Sequence, residues 1–168
     1  MKKINLIAIL IMFAVAGSLS TTFTSCSKKA GKNIGLQLYS VRDSIRNDVP
    51  GAVEKVGKMG YTFVEAAGYG DGKFYGLEPA EFRALCEKNG LYLLSSHSGR
   101  QLPGEDNYAE TMEWWDQCID AHVKAGAKFI VQPSMGRSAY ERIAGLREWC
   151  DYFNEIGAKC NEKGIRFG

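Results

Sequence analysis

The sequence lacks the features that mark several large classes of protein. Its longest apolar run, residues 6–16, has eleven residues, and a helix that spans a bilayer needs about 20. There are two histidines and no Cys-x-x-Cys pair, so a zinc site of the usual spacing is poorly supported. No glycine-rich phosphate motif follows the first predicted strand, which weakens a dinucleotide-binding interpretation.

The chain also lacks an excess of positive charge. It has 21 basic and 19 acidic residues, and without Lys2 and Lys3 the two signs balance at 19 each. Nucleic-acid binding and electrostatic adhesion to anionic lipid both require a basic surface. We therefore expect no nucleic-acid partner, and a membrane contact only through an N-terminal lipid.

The N-terminus has the layout of a secretory signal, with two lysines, the apolar run and then small polar residues. It resembles a bacterial lipoprotein signal, in which the cysteine after the cleavage point receives lipid, although Phe23 stands where leucine is usual. We predict a signal peptide at residues 1–25, lipidation of Cys26 and a tether at residues 26–33. The protein would then be exported and lipid-anchored at the cell envelope, facing the periplasm. An uncleaved membrane anchor is the alternative.

The remaining cysteines, Cys86, Cys118, Cys150 and Cys160, lie within helical patterns. Free cysteine usually behaves as a small buried hydrophobe, and we expect that of all four. Export would also permit a disulfide.

The body of the chain, residues 34–168, repeats one unit. Four times a helical pattern ends in glycine and an aliphatic segment follows at once, and these glycines, at positions 60, 90, 126 and 164, are 30, 36 and 38 residues apart. Glycine just past a helix adopts the left-handed conformation without strain. Residues 34–39 form an earlier strand. This alternation predicts an α/β fold with a parallel sheet, as an open sheet or a closed barrel.

The predicted helices have apolar residues three and four positions apart, which marks the face of a helix that packs on the sheet. The four stripes are Ala52, Val53, Val56 and Met59; Phe82, Leu85 and Cys86; Tyr108, Met112, Trp115, Ile119 and Val123; and Leu146, Trp149, Phe153, Ile156 and Cys160.

Polar residues follow the predicted strands at the end where barrel enzymes carry their sites. They are Gln37, Tyr39, Glu65, His97 and Gln132. Glu65 has an alternative role in an ion pair with an arginine, and His97 is either a proton-transfer group or a loop histidine with satisfied hydrogen bonds. His122 lies within a helical pattern, and we expect a structural role for it.

Several of these segments resemble one known family. Residues 34–43 and 60–65 are similar to the first two strands of the xylose-isomerase-like sugar phosphate isomerase/epimerases. Residues 95–97 resemble the end of the third strand, and residues 164–168 resemble the start of the fifth. The resemblance implies a (β/α)₈ TIM barrel, of which residues 34–168 would form about the first four βα units and the start of strand five. Because a complete barrel takes about 250 residues, we expect a truncated N-terminal half.

The resemblance also implies a function. Members of the family isomerise or epimerise sugars by proton transfer next to a carbonyl, with a divalent cation held by two glutamates, an aspartate and a histidine on later strands. This chain would then have no metal ligands and no activity alone, its catalytic residues are unknown, and the five strand-end residues would contact a sugar or polyol. A non-catalytic, carbohydrate-binding envelope protein is the alternative. The related apurinic endonucleases fit poorly with the charge balance.

Overall fold

Five parallel strands form the central sheet of the computed structural model, which describes residues 33–168. The strands of this sheet are β1 Gly35–Gln37, β2 Phe63–Ala66, β5 Tyr92–His97, β6 Phe129–Val131 and β7 Arg166–Phe167. Their spatial order is β1–β2–β5–β6–β7. A two-stranded antiparallel hairpin, β3 Tyr69–Gly70 and β4 Lys73–Phe74, follows β2. The predicted signal peptide, Cys26 and the tether up to residue 32 lie outside the described residues.

The pairing of β7 confirms the predicted fifth strand. Arg166 lies opposite Phe129, Phe167 lies opposite Ile130, and the two strands run parallel. Ile165, just before β7, is fully buried in the core. The α/β class and the parallel sheet are therefore confirmed, and the arrangement is consistent with part of a TIM barrel.

Helices cover the sheet between its strands. They are α1 Arg42–Asn47, α2 Val49–Lys58, α3 Pro79–Lys88, α4 Tyr108–Lys124, α5 Ser138–Glu141 and α6 Ile143–Glu162, with a 3₁₀ turn at Leu38–Val41. Asp48 caps α2 by accepting a hydrogen bond from Gly51 N at 2.9 Å, and Pro50 lies in the first turn, where its missing N–H costs little. Within residues 33–168 no helix is long and apolar enough to cross a membrane.

The four junction glycines have the predicted conformation. Gly60, Gly90, Gly126 and Gly164 have φ angles of +90°, +72°, +78° and +74°. One residue separates each glycine from the end of its helix, and a sheet strand begins two or three residues after the glycine. The left-handed glycine therefore turns the chain from the helical layer into the sheet, as the repeat predicts.

The helical stripes form the core on one side of the sheet, with exceptions at the helix ends. Met59, Leu146, Tyr108 and Val123 are exposed, so their predicted burial is wrong. These residues lie in the first or last turn of a helix or just past it. At the end of α4 the inward position belongs to His122 instead of Val123.

Three of the four described cysteines behave as predicted. Cys86, Cys118 and Cys160 are buried, whereas Cys150 is exposed on the outer face of α6, so the prediction for that residue is wrong. All four are free thiols. Burial raises the pKa of the Cys86 thiol to about 12 and that of Cys160 to about 11, which leaves both protonated at neutral pH.

Candidate functional site

Polar side chains from three adjacent strands meet at the carboxyl edge of the sheet. Gln37 is the last residue of β1 and lies in register with Glu65 of β2, which in turn lies opposite Ser95 of β5. His97 ends β5, two residues beyond Ser95. Because alternate residues of a strand share a face, Ser95 and His97 point to the same side as Gln37 and Glu65, away from the helices.

A shift in strand register produces this match. Phe63 and Val64 lie opposite Tyr92 and Leu93, but Glu65 lies opposite Ser95, so Leu94 has no partner on β2. With continuous pairing, Leu94 would stand opposite the carboxylate. An extra residue of this kind re-aims the side chains that follow it, and such bulges are common beside active sites. Ser95 thus joins the site, although the sequence analysis did not single it out.

The carboxylate of Glu65 is the centre of the cluster. Its Oε1 accepts a hydrogen bond from Gln37 Nε2 at 2.7 Å, and its Oε2 accepts one from Ser95 Oγ at 2.5 Å. His97 Nε2 lies 3.2 Å from Oε1. The side chain keeps 24% of its surface exposed, so the carboxylate is oriented by the protein and remains accessible. No arginine pairs with it in the described residues, and the ion-pair alternative is not what the structure shows.

His97 lies within reach of both the Gln37 amide and the Glu65 carboxylate. Its Nε2 lies 3.2 Å from Gln37 Nε2 and the same distance from Glu65 Oε1. A neutral ring with the proton on Nδ1 accepts from the Gln37 amide, and a protonated ring donates to the carboxylate. With 32% of its side chain exposed, the His97 ring is accessible to a bound molecule.

Tyr39 and Gln132 lie outside this cluster. Tyr39 belongs to the 3₁₀ turn after β1 and is 57% exposed, with the Arg42 guanidinium over its ring. Gln132 follows β6, and its amide donates to the main-chain oxygens of Arg100 and Ser134 and accepts from Arg100 N, at 3.0 to 3.1 Å. The Gln132 amide therefore joins two loops at this edge. Substrate contact by either residue stays a prediction.

A buried chain of hydrogen bonds lies behind His97, on the helical side of β5. His122 is fully buried, with Nδ1 2.7 Å from the Cys118 carbonyl and Nε2 3.3 Å from Ser98 Oγ. Ser98 Oγ in turn lies 3.0 Å from Ser96 Oγ. Since the carbonyl can only accept, Nδ1 carries the proton and the Ser98 hydroxyl donates to Nε2. Burial lowers the pKa of His122 to about 4, so the ring is neutral at pH 7, and its enclosed, hydrogen-bonded position agrees with the structural role that we expect.

The cluster does not contain the donors of a divalent metal site. Among residues 33–168, no three or more His, Cys, Asp and Glu side chains come together in a way that could hold a metal ion. Glu65 and His97 are the two residues of these types in the cluster. The described residues therefore do not fit the four-ligand cation site that the family resemblance implies.

A large cavity lies elsewhere. It has a volume of about 440 Å³ and is lined by the residues that begin β5, β6 and β7, among them Tyr92, Lys128 and Ile165. This is the amino edge of the sheet, and barrel enzymes carry their chemistry at the carboxyl edge. We therefore take the Gln37–Glu65–Ser95–His97 cluster as the candidate site.

The fold matches solved structures of sugar-converting enzymes. Two sugar phosphate isomerase/epimerases from Parabacteroides distasonis superpose with TM-scores of 0.74 and 0.72 and are 31% and 30% identical; the matches cover 84% and 82% of this chain and 52% and 54% of theirs. A D-psicose 3-epimerase from Clostridium cellulolyticum, solved with D-tagatose, has a TM-score of 0.52 over 71% of this chain and 45% of its own, and its 16% identity supports the fold alone.

The chain thus spans about half the length of the Parabacteroides structures. No curated protein matches its sequence. The family model described as "Xylose isomerase-like TIM barrel" matches residues 53–168, a segment that contains Glu65, Ser95 and His97 and four of the five sheet strands. With the parallel sheet and the strand-end cluster in agreement, this chain belongs to the xylose isomerase-like TIM barrel family.

Proposed function

We propose that this chain forms the sugar-binding part of an isomerase or epimerase site. The observation that supports the proposal is the convergence of Gln37, Glu65 and His97 from three adjacent parallel strands at the carboxyl edge of the sheet. A sugar hydroxyl can donate to the Glu65 carboxylate and accept from the Gln37 amide or from protonated His97. A polyol chain offers several hydroxyls close together, which suits donors and acceptors that converge from neighbouring strands.

The proposed reaction is proton transfer at the carbon next to a sugar carbonyl. A divalent cation, when bound in a family member, stabilises the negative charge that develops on the oxygen. The described residues bring no complete set of ligands for it together. We therefore assign no step of the reaction to them and expect sugar binding without turnover from this chain alone. Catalytic residues are not assigned to it.

A titration of the full chain with neutral hexoses, pentoses and polyols, followed by ¹H–¹⁵N NMR, tests the binding role. We expect shifts at Gln37, Glu65 and His97, and at least about a tenfold weaker affinity in Glu65→Gln, because a hydrogen bond to a charged group contributes about 1.5–3 kcal/mol. Glu54→Gln, which changes an exposed carboxylate of α2, is the matched control. Unchanged affinity in Glu65→Gln would contradict the proposal.

The same sample separates the two functions that share this fold. If a sugar binds and is converted when a divalent cation is added, the chain is itself an isomerase or epimerase, and our expectation of no turnover is wrong. Binding without conversion under every condition would mean that the chain has a non-catalytic carbohydrate-binding role, or that catalysis needs further residues of a barrel.

We further propose that the protein acts at the cell envelope, anchored by lipid on Cys26. Support comes from the sequence of residues 1–26, which lies outside the described structure. Expression in a bacterial host with radiolabelled palmitate should label the wild-type chain, and Cys26→Ser should abolish the label and the membrane association. A Cys26→Ser chain that remains in the membrane fraction would instead favour the uncleaved apolar anchor.

A further inference from the structure

A groove with a volume of about 320 Å³ opens beside the candidate site. It begins at the ends of β1 and β2, because Leu38 and Tyr39 directly follow Gln37, and Ala67 lies two residues beyond Glu65. Its other lining residues come from α1 and from the hairpin region: Arg42, Ile45, Arg46 and Tyr75. The volume is sufficient for a small ligand of monosaccharide size. The groove lies at the same edge of the sheet as the sugar-binding cluster.

Arg42 is held in place on one wall of the groove. Its Nη1 donates to the main-chain oxygen of Tyr39 at 3.2 Å, and the guanidinium carbon lies 4.7 Å from the centre of the Tyr39 ring. Among residues 33–168, no carboxylate forms an ion pair with Arg42. Its positive charge is thus oriented by the protein and has no negative partner in the described part of the chain.

A second arginine lines the groove one helical turn further along α1. Arg46 follows Arg42 by four residues, a spacing at which like charges on a helix repel. Its pair with Asp43 is long, 3.6 Å, and both side chains are mostly exposed, at 74% and 80%. Exposed pairs of this kind contribute little. An anion between the two guanidinium groups would remove their repulsion.

The facing wall is a rigid aromatic ring. Tyr75 has a left-handed φ of +52°, which is uncommon for a residue with a large side chain. Its hydroxyl accepts a hydrogen bond from Ala67 N at 2.7 Å, and its ring lies over Gly68, where a Cβ atom would collide with it. Burial raises the pKa of the Tyr75 hydroxyl to about 12, so this wall carries no charge at neutral pH.

We propose that this groove binds the phosphate or carboxylate group of an acidic sugar. Arginine recognises both groups through paired hydrogen bonds from its planar fork, and the two tyrosine rings offer flat apolar surfaces to the carbons beside the acid group. The expectation that the ligand is an anion rests on the two arginines of the groove alone. That the ligand is a sugar rests on the function proposed above for the Gln37–Glu65–His97 cluster.

The test is a set of NMR titrations of the full chain with inorganic phosphate, glucose 6-phosphate, glucuronate and glucose. We expect the three anions to shift the signals of Tyr39, Arg42 and Arg46, and glucose to leave them unchanged. Glucose 6-phosphate and glucuronate distinguish a phosphate from a carboxylate ligand, and inorganic phosphate shows whether the acid group alone is sufficient.

Variants make the result specific to the groove. Arg42→Gln/Arg46→Gln should weaken anion binding at least about tenfold, the loss expected when a paired charge-assisted hydrogen bond is removed. Arg42→Lys should be intermediate, because lysine keeps the charge and loses the fork. The control is Arg83→Gln, an exposed arginine of α3 that pairs with Glu87 near the opposite edge of the sheet.

Equal affinities in the wild type and the double variant would overturn the proposal, as would the absence of groove shifts with every anion. The titration with glucose tests the Gln37–Glu65–His97 cluster independently of the groove. If glucose fails to shift the signals of Gln37 and Glu65 while the anions still bind at Arg42, the result supports the anion groove and contradicts the proposed sugar-binding function. If glucose shifts Gln37 and Glu65 while no anion binds at Arg42, the result contradicts the groove and supports the sugar-binding function.

Discussion

Glu65 Oε1 lies 3.2 Å from His97 Nε2, on the adjacent strand of the sheet. The other oxygen of the same carboxylate is held by Ser95 Oγ at 2.5 Å. Ser95 thus holds one oxygen of the carboxylate, while Oε1 contacts both His97 and the Gln37 amide. The hydroxyl of Ser95 therefore orients the carboxylate within the cluster.

Ser95→Ala should therefore loosen the site without removing either of its ionisable groups. The variant leaves Oε2 without its strand partner, and we expect several-fold weaker sugar binding, since a hydrogen bond to a charged group contributes about 1.5–3 kcal/mol. NMR titration with the best neutral sugar measures the change. Ser95→Thr keeps the hydroxyl and should bind nearly as the wild type does; equal losses in the two variants would mean that the strand geometry, not the hydroxyl, is responsible.

Two glycine substitutions should change stability in opposite directions. Gly90→Ala places a Cβ at a φ of +72° in otherwise open space, so only backbone strain opposes it, and we expect a loss of about 1 kcal/mol. Gly157→Ala lies inside α6, also in open space and without a positive φ, and should gain up to about 1 kcal/mol. Urea unfolding of both variants measures the difference. A stabilised Gly90→Ala would show that this junction does not need the left-handed conformation.

The fold was predictable because its signals are local. A helix that ends in glycine, followed by an aliphatic segment, indicates a helix-to-strand junction without knowledge of its neighbours, and Gly60, Gly90, Gly126 and Gly164 all adopt the expected conformation. The hairpin at residues 69–74 was missed, although Asp71 and Gly72 have the positive φ angles of a tight turn and Asp-Gly is a known signal for it. Its strands have only two residues each, too few to show alternation.

The arrangement of the candidate site was predictable only in part, because its assembly depends on register. Gln37, Glu65 and His97 were found from their positions at strand ends, and the structure brings them together. Ser95 was not singled out, since its place opposite Glu65 depends on the unpaired Leu94, which no single strand reveals. Gln132 was equally well placed by position, but its amide is engaged with the main chain of another loop.

Thiol labelling should distinguish Cys150 from the other described cysteines. Cys150 is exposed, whereas Cys86, Cys118 and Cys160 are buried, and burial raises the pKa of each of these three thiols. Because the thiolate is the reactive form, iodoacetamide at pH 8 should label Cys150 well before the buried three, as read by peptide mass spectrometry. Early labelling of Cys118 would mean that α4 opens readily from the sheet. Cys150→Ser provides the control chain.

The buried His122 should make the protein lose stability in mild acid. Its pKa falls from 6.5 to about 4 in the folded chain because burial disfavours the charged ring. Below pH 6.5 the unfolded chain therefore binds a proton that the folded chain binds only near pH 4. The contribution of His122 to the free energy of unfolding is thus fully present above pH 6.5 and is lost as the pH falls from 6.5 to about 4. A shift of this size corresponds to about 3 kcal/mol of unfolding free energy. Urea unfolding between pH 7 and pH 4 should show the decline in the wild type and in His97→Gln, and a shallower decline in His122→Gln. If His122→Gln follows the wild-type slope, the acid sensitivity comes from other groups.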